Sequence, residues 1–113
     1  MAVKGRVGLP IIDVLAADTT VLQPASPNTR VAVSAFSLYN DTAGNVTVDI
    51  YESPDLTSAS GEKVAQYVVA ANSSEDVIEC IGQGYAINQN LIAVGDLVGV
   101  NAKVTVTEYT GSS

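Results

Sequence analysis

The stretch Thr29-Arg30-Val31-Ala32-Val33-Ser34-Ala35-Phe36-Ser37-Leu38-Tyr39, followed by Asn40-Asp41-Thr42-Ala43-Gly44-Asn45 and Val46-Thr47-Val48-Asp49-Ile50-Tyr51, decides the fold class. Its first part is rich in β-branched and aromatic residues, with apolar or small side chains in both alternating phases, the pattern of a strand covered on both sides. The middle is a dense set of turn formers. In the last part Val46, Val48 and Ile50 alternate with Thr47, Asp49 and Tyr51, as in a half-buried strand, so the whole reads as a hairpin.

Outward from this hairpin the same grammar continues. Ser53 to Gly61 is a loop by composition, Lys63 to Ala70 a strand, Asn72-Ser73-Ser74 a turn, and Glu75 to Ile81 another strand. Gly82-Gln83-Gly84 breaks the chain, and Tyr85 to Leu91 reads as either a helical turn or an irregular crossing. Val94-Gly95-Asp96-Leu97 turns into a closing pair, Leu97 to Ala102 and Lys103 to Tyr109. No window carries an amphipathic-helix period. The expectation is all-β: an antiparallel β-sandwich or jelly-roll-like barrel of about 6–8 strands. Its expected core includes Val31, Val33, Phe36, Leu38, Val46, Val48, Ile50, Val77, Ile81, Val104 and Val106.

Residues 1–28 differ from the body at 29–113. They hold three of the four prolines, and Lys4 and Arg6 balance Asp13 and Asp18, so the body carries the whole net charge of −7. This segment reads as an extended N-terminal arm at 1–12, with an edge strand near Thr19 to Leu22. Leu9, Ile11 and Ile12 are too aliphatic for a solvated tail. With Lys4 and Arg6 they are the candidate partner-contact residues.

Composition excludes much chemistry. The 113 residues make one small domain. There is no histidine, which removes Ser-His and Cys-His nucleophilic pairs, and the single Cys80 cannot form an internal disulfide or a cysteine zinc site. Cys80 lies in an apolar run and reads as a core hydrophobe. Glu75 and Asp76 are strand neighbours that point to opposite faces, so they cannot converge on one bond as paired catalytic carboxylates must. Asp41 to Asn45 lacks the alternating ligands and closing Glu of a calcium loop. An excess of 12 acids over 5 bases gives no footprint for nucleic acid, and no apolar run approaches a membrane span. No catalytic residue, cofactor or metal is expected, and the chain reads as a non-enzyme.

Two segments carry a family likeness. Phe36 to Tyr51 shows a strand ending in Tyr-Asn, a Thr-Ala turn and a Val-Thr-Val strand. Ala93 to Ala102, with Val104-Thr105-Val106-Thr107-Glu108-Tyr109, shows a Gly-Asp turn and a second Val-Thr-Val strand. Over residues 30–110 the sequence resembles small structural proteins of tailed-bacteriophage virions, especially capsid decoration or cement proteins. The resemblance implies a β-sandwich that stabilises the phage head through contacts with the major capsid protein or other virion subunits. It also implies a homo-oligomer, taken as a trimer, assembled in the bacterial host cytoplasm. Tail, neck or fibre components and a carbohydrate- or ligand-binding β-sandwich module are the alternatives.

Overall fold

The apolar phase of the long strand changes halfway, and that change organises the molecule. Val31 and Val33 are odd-numbered and Phe36 and Leu38 even-numbered, yet all four are buried. In the computed structural model, which describes the backbone of residues 2–24 and 27–110 and the side chains of 7–24 and 27–109, this strand is Thr29–Asn40. It pairs with Val100–Thr110, placing Thr105 opposite Ala35 and Val106 opposite Val33. Ser34 is the extra residue of a β-bulge, and its Oγ donates to the Thr105 carbonyl at 3.1 Å. A bulge resets the alternation, so both apolar runs face one core. The expectation of a strand covered on both faces is therefore corrected: Arg30, Ala35 and Tyr39 are exposed on the other side.

Ten strands are present among the described residues: β1 Ala2–Gly8, β2 Ile12–Val14, β3 Thr19–Leu22, β4 Thr29–Asn40, β5 Val46–Ser53, β6 Glu62–Val69, β7 Ser74–Asp76, β8 Gly84–Tyr85, β9 Asn90–Gly95 and β10 Val100–Thr110. They form two antiparallel sheets. One runs β1-β10-β4-β7, with β2 also pairing β10 and β8 also pairing β4; the other runs β3-β9-β5-β6. Their inner faces enclose a core that includes Val33, Phe36, Leu38, Val48, Ile50, Leu91 and Val104. The all-β sandwich stands as expected, but with ten strands rather than about six to eight, because the N-terminal segment and the 74–85 segment add short strands to the sheet edges. Every expected core residue is buried except Ile81, which packs half-buried against the cluster.

Three local expectations change. β4 and β5 do not pair, so the Asp41–Asn45 segment is not a hairpin turn but the crossing from one sheet to the other. The strand expected over Glu75 to Ile81 ends at Asp76, because Val77 plugs into the core and residues 78–82 turn. Leu97 to Tyr109 yields one long strand, β10, whose Val100, Ala102, Val104 and Val106 face inward without a break.

The loop after β5 shields an outer face. Ser58 donates from its backbone N–H (3.1 Å) and Oγ (2.5 Å) to the Asp18 carboxylate, just ahead of β3. To reach Asp18 from β5 the loop passes over β9, the strand between β5 and β3. Ile92, opposite Thr20 and Tyr51, lies outside the core cluster and is nevertheless 0% exposed.

Candidate functional site

The N-terminal segment is extended and runs along its own domain. β1 pairs with the C-terminal half of β10, from Ala2 opposite Thr110 to Gly8 opposite Thr105, and β2 pairs with the other half. Pro10 has no N–H to donate, and the break between the two strands falls around it. Leu9 returns to the fold through its N–H, which donates to the Val104 carbonyl at 2.9 Å, and through its carbonyl, which accepts from Lys103 Nζ.

The candidate contact residues therefore separate. Leu9 and Ile12 pack half-buried against the core, whereas Ile11 points away at 65% exposure. The side chains of Lys4 and Arg6 lie outside the described residues. Leu9 and Ile12 also line a groove of about 420 Å³ where the sandwich is open between β2 and β3. Val21, Leu22, Val31 and Val106 make it largely apolar, and Glu108 and Thr29 add polar atoms.

Other exposed apolar side chains were not visible as such in the sequence. Leu97 and Val98, at 58% and 63% exposure, form a turn beside Leu15, whose carbonyl accepts from Gly95 N–H at 2.9 Å. Asp96 fixes that turn through its Oδ1, which accepts from Thr47 N–H at 2.9 Å. Ile78, at 69%, caps the turn after β7. Expecting a strand over 75–81 hid the first of these turns; the second was read at Gly95-Asp96 but ended too early, and Gly99 was the signal that it runs on through Leu97 and Val98.

Among the described residues no three His, Cys, Asp or Glu side chains come together to hold a metal, and no buried side-chain polar atom lacks a partner. Cys80 is fully buried; burial pushes its thiol above the ordinary range, which keeps it an unreactive thiol. Burial likewise pushes the neighbouring Tyr85 hydroxyl up. Asn40, Ser53, Thr19 and Asn90 are buried and hydrogen-bonded to loop backbone or side-chain groups, as structural ties.

No protein-family model and no curated protein matches the sequence. Among solved structures the chain is similar to one described under "Bacillus endospore appendages form a novel family of disulfide-linked pili". The TM-score is 0.53 at 19% identity, covering 95% of this chain and 86% of that one. At that identity the likeness establishes a shared fold.

Proposed function

We propose that this chain is a structural subunit that works by contact, associating with copies of itself within a larger assembly. The observation that carries this reading is the placing of large apolar side chains at the rim. Ile11, Ile78 and Val98 are each more than 60% exposed, while the buried side-chain polar atoms among the described residues are partnered. Exposed apolar side chains that lie together, as Leu97 and Val98 do beside Leu15, mark contact sites. The pilus protein of the same fold supports a self-assembling role. Those pili are disulfide-linked. The lone Cys80 is enclosed in the core, so contacts between copies of this chain would be non-covalent.

Capsid decoration is the narrower alternative and rests on the resemblance in residues 36–51 and 93–109. Those segments form β4, β5, β9 and β10, the interior strands of both sheets. They carry the framework more than any contact surface, which is why association with copies is preferred over a capsid partner. Ile11 beside the β2–β3 groove is the residue of the N-terminal segment best placed for either contact.

Sedimentation velocity on the purified chain, from about 1 μM to about 1 mM, covers contacts worth about −8 to −4 kcal/mol. Concentration-dependent growth in size is the expected result. A monomer throughout that co-sediments with phage heads would replace this reading with decoration, and a monomer that binds no particle would overturn both.

A further inference from the structure

The outer face of the six-stranded sheet holds an apolar slot of about 250 Å³ beside the β8 edge. The cross-strand pair Ala32 and Gly84 forms its base, and the pair Arg30 and Tyr109 its side. Arg30 is exposed and makes no ion pair among the described residues, in a chain of net charge −7.

On the same edge stands a shape that complements the slot. Val77 N–H donates to the Phe36 carbonyl at 2.9 Å and its side chain is buried, which forces Ile78 outward. Ile78 N–H donates to the Asp76 carbonyl at 3.0 Å and to the Tyr67 hydroxyl at 3.2 Å, and Tyr67 donates to Glu79, so the knob is held in place. Asp76 is exposed opposite Ser37. The edge thus presents an aliphatic tip beside an acid, and an apolar slot beside a free guanidinium.

We infer that this edge is a two-fold contact between copies of the chain: Ile78 of one copy enters the slot of the other, and Asp76 meets the partner's Arg30. The inference rests on the self-association proposed above and names its surface. Asp76 pairs at Ser37 and Gly84 at Ala32, which face Lys103 and Thr107 of β10, so with Ser34 bulged they lie four strand steps apart, or about 13 Å. A two-fold axis lying over this face and perpendicular to β4, level with Val33 and Ser34, brings each Asp76 to the partner's Arg30 and each knob to the opposite slot. Copies carrying seven net negative charges repel, so contact is favoured where opposite charges face each other locally. The pairing forms twice per dimer, as an anchor within a wider face.

The test is sedimentation velocity on the full chain and on variants at exposed positions, with circular dichroism reporting the β-fold. A Cβ at Gly84 would lie 3.8 Å from the Val31 carbonyl, an ordinary contact, so Gly84→Leu fills the slot without displacing β8. Ile78→Ser, Gly84→Leu and Arg30→Glu are each expected to weaken association by about tenfold or more, as central contacts do. Combining Arg30→Glu with Asp76→Lys should restore most of that loss, since the two charges exchange places. If the single variants associate like the native chain, or the exchanged pair stays as weak as Arg30→Glu, this surface is wrong while self-association stands. A native chain that remains monomeric overturns both.

Discussion

Asn40 and Thr42 hold the chain at the point where it leaves one sheet for the other. Asn40 Oδ1 accepts from Thr42 N–H at 2.9 Å and from Thr42 Oγ1 at 2.7 Å. Its Nδ2 donates to the Gly44 carbonyl at 2.7 Å and, across the sandwich, to the Val69 carbonyl at 2.9 Å. One fully buried amide therefore ties β4, the crossing and β6 together.

Replacing it tests how much of the crossing depends on that amide. Asn40→Ala leaves the Val69 carbonyl unpaired inside and should cost about 3 kcal/mol in urea unfolding. Asn40→Asp keeps both accepted bonds but sets a second carboxylate oxygen against two carbonyls, so at neutral pH it should cost more. Its folded pKa would be raised, the native state would hold the proton more tightly, and the penalty should shrink as the pH falls toward about 5. An Ala variant within about 1 kcal/mol of the native chain would show the amide to be dispensable.

Gly99 approaches the same crossing from the other side. It has φ +119°, and a Cβ there would lie 2.2 Å from Thr42 Cγ2. Gly99→Ala thus meets both backbone strain and a clash, and should destabilise by about 2–4 kcal/mol. Adding Thr42→Ser removes the clashing methyl and keeps the hydroxyl, so the double variant should recover the steric part and retain the backbone part. Equal stability of the single and double variants would place the whole cost in the backbone.

Asp55 makes the loop over Ile92 sensitive to acid. Its carboxylate accepts from Thr57 Oγ1 at 2.8 Å, from Thr57 N–H at 3.0 Å and from Ser53 Oγ at 3.0 Å. These bonds, with Ser60, lower its pKa from 3.8 to about 2, the Thr57 hydroxyl contributing most. Between those values the unfolded chain binds the proton more readily than the native one, so stability rises with pH. The contribution is complete above the ordinary value and is lost as the pH falls to about 2. An NMR titration should place the Asp55 midpoint near that lower value, and Asp55→Asn should flatten the stability profile across the window. A midpoint at the ordinary carboxylate value would mean that the loop does not hold the carboxylate in solution.

The two-sheet fold was legible because inward and outward positions alternate along most strands, and even the β4 bulge is written in the sequence. The parity switch from Val31 and Val33 to Phe36 and Leu38, with Ser34-Ala35 between, is the trace a bulge leaves; it was read as two covered faces. β9 was less legible. Leu91, Ile92 and Ala93 form an unbroken apolar run because a remote loop covers the outward Ile92. The contact surface was hidden for a related reason: whether Ile11 or Ile12 faces water depends on how β2 registers against β10, and no local pattern states that register. Ile78 is exposed because Val77 fills the core, a choice made by tertiary packing.

The last prediction concerns β1. Its backbone covers β10 from Thr105 to Thr110, and Val7 packs against the core opposite Val106. A chain lacking residues 2–8 keeps β4 against β10 along the whole of that strand and keeps the inward Val100, Ala102, Val104 and Val106. It should therefore still fold and show a β-type circular dichroism spectrum, with a lower unfolding midpoint. The truncation also uncovers a flat strand edge with unpaired N–H and C=O groups, a template for pairing with another chain. Larger species in sedimentation velocity than the native chain gives at equal concentration are the expected result. An N-terminal segment acting chiefly as an anchor on a neighbour predicts the opposite sign, with smaller species after truncation. That result would return residues 2–8 to an intermolecular role.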